Sequence, residues 1–355
     1  MKKVESTESV CIRHLWEHKT TFRFNTLCLG TLFRQSGLTL ALGGEDGIVR
    51  LFDLSGTSDE GFKSQQTTLE TKSGPIQAMA IHDVTKFYHN DLIVADSCGT
   101  MTVFCSRQIL CRQSVAESSI SSIQVEKDKT GNIVVVMSTE AGVISGVLPS
   151  SELWRINLHD LGTNINSKQT ISVRSLLAAE LVNQHGHKSS YIMAADDNNS
   201  LIIIHQGAVV SVLKTSSVIT AMCQGRFVPE DKLLPIGLPS GGGPATSSQV
   251  ALGSESGAVY IFHNFNVTED EYANTQYPIT NLRSLTVPDK DTDLLLCTGH
   301  FNSLNIFSDG KKVAQHATPD WINSLEVADL DGDGTKEVVF GCFDNSVHAV
   351  KVSPT

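Results

Sequence analysis

The sequence predicts an all-β fold, a seven-bladed β-propeller with four-stranded blades, on three observations. One short motif returns seven times along the chain, each copy is followed by two apolar runs around a turn, and segments of helical period are nearly absent. The motif is an apolar residue, two mostly small or polar residues, then another apolar residue. Its copies are Phe24-Asn-Thr-Leu27, Ile76-Gln-Ala-Met79, Ile120-Ser-Ser-Ile123, Val173-Arg-Ser-Leu176, Ile219-Thr-Ala-Met222, Ile279-Thr-Asn-Leu282 and Ile322-Asn-Ser-Leu325. They follow one another at steps of 43 to 60 residues. Four strands at a period near fifty make a propeller blade. A pair of packed β-sandwiches also holds many short strands, but seven phased copies of one motif favour the ring.

Taken in order, the elements fit this scheme. ESVCIRHLWEHKT (residues 8–20) precedes the first copy and is β-rich, whereas the last repeat stops at Val352 with three strands. The N-terminal segment is therefore predicted to supply the missing outer strand and close the ring, which removes the exposed edges that invite aggregation. Blades begin near residues 23, 75, 119, 172, 218, 278 and 321, and residues 1–355 form a single domain. Each motif leads into a hairpin such as DLIVADSCGTMTVFC or KEVVFGCFDNSVHAVKV, with Gly47, Gly99, Gly142, Asn199, Gly257, Asn302 and Asn345 available for positive φ at the turn. Fourth strands follow at residues 109–117, 152–160 and 207–216. ISVRSLLAAELV (residues 171–182) could be helical by pattern, but its place in the repeat makes it an inner strand. The longest step contains LLPIGLPSGGGPATSS (residues 233–248), so residues 231–249 read as a flexible insertion and a candidate docking element.

The last blade carries DLDGDGTKEVVFG (residues 329–341), an Asp-rich turn, an acidic residue, a β-rich run and a glycine. It resembles the FG-GAP repeat of integrin alpha-chain heads and of intracellular scaffolds. With the preceding INSLEVA it looks particularly like propellers in subunits of the BBSome ciliary coat and of the KICSTOR nutrient-signalling complex. The first blade is closer to a WD repeat: GGEDGIVRLFDLSG places Phe52-Asp53 where the Trp-Asp pair stands. The resemblance implies a scaffold role in ciliary or vesicle trafficking or in nutrient signalling.

Composition bounds the function. The chain has 355 residues, a mean hydropathy of −0.03 and a formal net charge of −11, without the Lys/Arg clusters of a nucleic-acid footprint. The N-terminus has no apolar signal core and no run of eighteen apolar residues occurs, so neither secretion nor membrane insertion is expected. Eight scattered cysteines, without C-x-x-C pairs, fit a reducing compartment, and a cytoplasmic location is expected.

Metal chemistry has one candidate. A D-x-D-x-D-G loop offers Asp329, Asp331 and Asp333, the carbonyl of Thr335, and Glu337 as hard oxygen donors for a weakly held calcium. Phe340 stands where a bidentate Glu would complete an EF-hand. The alternative is that these carboxylates accept backbone N–H groups and fix an Asx turn. His185 and His187 lie in a polar loop, His89 and His263 flank strands, and residues 196–200 (DDNNS) read as a hairpin turn. Neither a G-x-S-x-G elbow nor an H-E-x-x-H helix is present, so no catalytic residue and no required cofactor is expected. The second motif positions, Asn25, Gln77, Ser121, Arg174, Thr220, Thr280 and Asn323, are expected to line the central channel, where Arg174 either meets an anion or is simply solvated.

These observations predict a non-catalytic interaction scaffold, a propeller subunit of an intracellular multiprotein complex whose partners are other protein subunits. The rivals are a calcium-binding adhesion propeller, which calls for several Asp loops, and a propeller enzyme, which calls for acids or histidines converging from different blades.

Overall fold

Each copy of the motif opens an inner strand, and the motif records a β-bulge. In the computed structural model, which describes residues 10–54, 65–128, 130–161, 171–182, 187–229, 232, 248–288 and 290–354, the inner strands are Phe24–Thr31, Ile76–His82, Ile120–Lys127, Val173–Val182, Ile219–Gly225, Ile279–Leu285 and Ile322–Ala328. Apolar residues three apart fall on opposite faces of a regular strand. Here the register slips across the second motif residue in all seven blades, between Phe24 and Thr26 in the first and between Ile322 and Ser324 in the last. The extra residue returns both apolar side chains to the core, so Phe24 and Leu27 are buried together, as are Ile279 and Leu282.

Three further antiparallel strands follow in each blade. Second strands such as Asp91–Asp96 and Leu294–Gly299 are buried at every residue because neighbouring blades cover both faces. Outer strands such as Ala208–Lys214 alternate between exposed and half-buried positions. In the fifth blade the outer strand is split into Asn266–Val267 and Ala273–Asn274, both paired to Ala258–His263. The core is accordingly divided into seven apolar clusters, each shared by two adjacent blades.

Strand Val10–Lys19 pairs antiparallel with Ser346–Pro354, so the chain's first strand is the outer strand of its last blade. Trp16, 4% exposed, enters the cluster between the seventh and first blades beside Leu330, Leu40 and Phe52.

A second device recurs at the end of each outer strand. Thr20, Thr71, Val115, Leu158, Thr215, Thr275 and Thr318 donate their backbone N–H to the carbonyls of Asn345, Gly47, Gly99, Gly142, Asn199, Gly257 and Asn302, which tie the outer strand to the inner hairpin turn. In four blades the Thr hydroxyl also donates to the carbonyl two residues on, Thr20 to Phe22 at 2.6 Å, Thr215 to Ser217 at 2.8 Å, Thr275 to Tyr277 at 2.7 Å and Thr318 to Asp320 at 2.8 Å. Six of the seven turn residues have positive φ, from 55° at Asn199 to 88° at Gly257. Asn302 is the correction: it lies inside strand Phe301–Ser308 without positive φ. Phe301 pairs back to Gly299 and His300 stacks on Trp321, which keeps the chain extended through Asn302.

The insertion expected at residues 231–249 lies outside the described residues except for Lys232, Ser248 and Gln249. Among the described residues no helix is long and apolar enough to cross a membrane.

Candidate functional site

An up-and-down blade places its loops at two ends. The loop entering each inner strand and the turn between second and third strands lie at one end; the loop between first and second strands lies at the other, here called the lower end.

The Asp-rich loop joins the first and second strands of the last blade, at the lower end. Asp329 is occupied by backbone: Oδ1 accepts the Gly332 N–H at 2.7 Å and Oδ2 the Gly334 N–H at 3.0 Å. Asp331 Oδ1 accepts the Asp333 N–H at 3.1 Å, and Asp333 Oδ1 accepts the Thr335 N–H at 2.7 Å. The free carboxylate oxygens then converge on an ammonium. Lys351 Nζ lies 3.2 Å from Asp331 Oδ2, 2.6 Å from Asp333 Oδ2 and 2.8 Å from Oε1 of Glu337, which is fully buried. Hydrogen bonding from Lys351 holds the Asp333 carboxyl well below the usual carboxylate range, and the three carboxylates hold Lys351 above the usual lysine range. Asp329, Asp331 and Asp333 do come within 4.8 Å of one another. A calcium ion there competes with a resident cation, because three of its four carboxylate donors already serve Lys351.

Glu337 has a second task that recurs. Its Oε2 accepts the Leu330 N–H at 2.8 Å, pinning the loop. At the head of other second strands Asp91 accepts from Thr85 N–H at 3.0 Å, and Gln249 Oε1 accepts from Phe227 and Val228 at 2.9 Å each. Asp293, immediately before its strand, accepts from Arg226 at 2.8 Å.

The central channel has a volume of about 600 Å³. Of the seven residues expected there, Ser121, Arg174, Thr220 and Thr280 line it and Asn25, Gln77 and Asn323 do not. The bulge turns several of these side chains toward the next blade. Asn25 Nδ2 donates to Ile76 O at 2.9 Å, Asn323 Nδ2 to Phe24 O at 2.9 Å and Thr220 Oγ1 to Ile279 O at 2.5 Å, stitching blade to blade around the ring. Arg174 is exposed on the wall. The residues four places after each motif start, among them Gln124, Cys223, Arg283 and Glu326, line the channel as well, and Arg283 pairs with Glu326 at 2.9 Å. Burial pushes the Cys223 thiol up to about 12 and raises Cys28 further. These thiols stay protonated at neutral pH, and Glu326, the one acid on the wall among the described residues, is ion-paired.

Other expected features resolve individually. Asp196 Oδ1 accepts the N–H groups of Asn198 and Ser200 at 2.9 and 2.7 Å, so residues 196–200 form a hairpin turn. His185 lies outside the described residues, which leaves its pairing with His187 outside them too.

Two aromatic surfaces were not read from the sequence. At the upper end, Tyr277, Trp321 and Phe343 are 55, 41 and 59% exposed. His300 stacks on Trp321 at 4.6 Å, Phe301 lies 6.5 Å from Tyr277, and the Phe343 N–H donates to Trp321 O at 3.0 Å. The corresponding turns of other blades hold Glu45-Asp46, Glu140-Ala141, Asp197-Asn198 and Glu255-Ser256. At the lower end, Phe87 and Tyr88 project from the loop of the second blade, Tyr88 99% exposed. Asp83 accepts their N–H groups at 3.0 and 2.9 Å and fixes the loop beside a cleft of about 810 Å³ shared with Arg34 and Gln35.

No family model and no curated protein sequence matches the chain. Solved structures do. BBS1N in complex with ARL6DN superposes with a TM-score of 0.69 in a mercury-soaked crystal, at 12% identity over 96% of each chain. A lead-soaked crystal of the same complex gives 0.68 at 12% identity over 98% of this chain and 97% of that one. The WD40 β-propeller domain of Doa1 gives 0.64, also at 12% identity, over 96% of this chain and 97% of that one. At such identity the likeness is one of fold, a seven-bladed propeller spanning at least 96% of each compared chain.

Proposed function

We propose that the chain is a non-catalytic interaction platform, a propeller subunit of a cytoplasmic multiprotein assembly. One observation carries this reading: among the described residues, Tyr277, Trp321 and Phe343 expose an aromatic stripe at the upper end of two adjacent blades. Exposed Trp and Tyr on a rigid scaffold bring large contact area at small entropic cost, and such residues dominate binding energy at protein interfaces. The Asp loop supports placing the last blade in the FG-GAP type. The fold likeness to BBS1N, itself solved in complex with ARL6DN, suits a protein partner, the resemblance of the last blade to BBSome and KICSTOR propellers favours a trafficking or nutrient-signalling type of complex, and eight free cysteines suit a reducing compartment. On the channel wall His82 and Glu326 come from different blades, and Glu326 is engaged by Arg283 at 2.9 Å.

The test compares tagged wild type with Trp321→Ser/Phe343→Ser, expressed in cells and purified at native level. A partner that co-purifies stoichiometrically with wild type and is lost from the double variant, at unchanged melting temperature, supports the platform. Equal recovery with both proteins places the contact elsewhere, and a monomer that turns over substrate overturns the reading.

A further inference from the structure

Beneath Phe87 and Tyr88, the second blade contains a buried anion that lacks the cation its counterpart has. In the last blade Val338 pairs with Val350, and one place further along the same register Glu337 meets Lys351 at 2.8 Å. In the second blade Leu92 pairs with Phe104, and the same step brings Asp91 to Cys105. Asp91 is fully buried. One oxygen accepts the Thr85 N–H, and the only other polar groups that reach the carboxylate among the described residues are uncharged, the Cys105 thiol and its neighbour the Thr85 hydroxyl. No Lys or Arg pairs with Asp91 among the described residues; the nearest loop lysine, Lys86, is spent on Asn132 Oδ1 at 2.6 Å. A buried carboxylate without a counter-charge is costly.

The groups around this carboxylate are metal donors. His89, Asp91 and Cys105 each bring a ligand atom within 4.8 Å of the others. His89 Nδ1 lies 2.9 Å from the Phe87 carbonyl, which can only accept, so in the neutral ring Nδ1 holds the proton and Nε2 presents a lone pair. A ring nitrogen donating to a backbone carbonyl is the usual support behind a metal-bound histidine. Nε2 faces Cys105 Sγ at 3.5 Å. A tetrahedral zinc ion, at about 2.3 Å from sulfur and about 2.0 Å from nitrogen, sets those two atoms about 3.5 Å apart.

We infer that His89, Asp91 and Cys105 form a binding site for a zinc-class divalent cation, with the fourth position open toward the Ser106 hydroxyl and the cleft. A thiolate, an imidazole and a carboxylate together select zinc over calcium or magnesium, which want oxygen alone. The ion supplies the positive charge that Lys351 supplies in the last blade. It also ties the loop bearing Phe87 and Tyr88 to the second and third strands. Asp293, a buried carboxylate one residue before its second strand, belongs to no such donor group among the described residues.

The experiment loads chelator-stripped full-length protein with cobalt(II) and then with zinc, in wild type and in Cys105→Ala, His89→Gln and Asp331→Asn. Expected are one equivalent of cobalt with a thiolate charge-transfer band, its displacement by zinc, and zinc protection of Cys105 from iodoacetamide as mapped by peptide mass spectrometry. Cys105→Ala should abolish the band, and His89→Gln should weaken zinc by tenfold or more, of the order seen when single groups around a metal are removed. Asp331→Asn, which alters the other loop, should bind as wild type does. Absence of the band, or alkylation of Cys105 at one rate with and without zinc, would mean a thiol–imidazole hydrogen bond only and overturn the site. Cys105→Ala is half-buried at a strand end and His89→Gln keeps hydrogen bonding, so the pair remains informative if either variant alone folds poorly.

Discussion

Replacing Lys351 with Met tests what holds the Asp-rich loop. The ammonium has three carboxylate neighbours, one of them the fully buried Glu337. Removing one partner of a buried pair costs roughly 3–5 kcal/mol because the other charge is left without compensation. Lys351 keeps 17% of its side chain exposed and Asp333 keeps 46%, so water re-solvates part of the deficit and about 2–3 kcal/mol is expected here. Urea denaturation at pH 7 of wild type, Lys351→Met, Glu337→Gln and the double variant isolates the coupling between the two groups, since a double-mutant cycle cancels what each change does alone. Glu337→Gln should rescue much of the Lys351→Met loss, because the amide can still accept the Leu330 N–H without bringing charge.

The same four proteins address calcium. Ligand binding to the folded state adds stability as RT ln(1 + [L]/Kd). With Lys351 present the ion must displace an ammonium; with Met it meets four uncompensated carboxylates. Millimolar calcium should therefore raise the midpoint of Lys351→Met well beyond that of wild type. A loss below about 0.5 kcal/mol for Lys351→Met would make the contact an ordinary surface ion pair and refute the argument. An equal calcium response in both proteins would show that the lysine does not compete for the site.

Two other outcomes follow from the geometry. Trp16→Ala should cost about 3–5 kcal/mol by equilibrium unfolding, the range for a buried Trp replaced by Ala, because the side chain fills the cluster that joins the last blade to the first; a loss below 1 kcal/mol would mean that closure rests on the backbone ladder alone. Burial, with Asp128 adding to it, pushes the Glu126 carboxyl up to about 7. A folded-state pKa above the unfolded one gives stability that is full below about 4.5 and lost as pH rises through 7. Glu126→Gln should thus match wild type near pH 4.5 and exceed it by up to about 3 kcal/mol at pH 8, and parallel stability curves would refute the assignment.

The ring was legible in the sequence because its bulge leaves a mark. A bulge two residues into each inner strand makes apolar residues recur three apart, a spacing that a regular strand does not produce and that a helix would continue at i+4 and i+7. Closure was legible from arithmetic, since one strand was missing at one end and one was spare at the other. The Thr before the motif was overlooked, although Thr20, Thr215, Thr275 and Thr318 each stand four residues ahead of a motif start. Four of the seven expected wall residues line the channel, whereas Asn25 and Asn323 are turned by the bulge to the backbone of the next blade. Arg283 and Glu326 carried a signal that was passed over: opposite charges at the same place in consecutive repeats, 43 residues apart. Lys351 offered none, because its meaning depends on a strand register that only the folded blade sets. The aromatic stripe was hidden likewise, as Tyr277, Trp321 and Phe343 come from three loops separated in sequence and joined by the circular order of blades.

The head of the second strand shows how one fold accommodates different loop chemistry. In three blades this position offers an acceptor to a backbone N–H of the loop arriving from the inner strand, from Asp91, Gln249 and Glu337. Burial attaches a cost to charge at that point but leaves open how it is met. Gln249 meets it by being neutral, and its Nε2 returns a hydrogen bond to Val228 O at 2.6 Å. Glu337 meets it with an ammonium from the third strand. Asp91 has a thiol in the position of that lysine, and a thiol is neutral until a metal or a base takes its proton. A blade can therefore exchange an internal ion pair for a metal site through one residue of the third strand, with the hydrogen bond that builds the ring untouched. Loops at the lower end are free to diverge in chemistry for that reason, while the apolar clusters between blades keep their geometry.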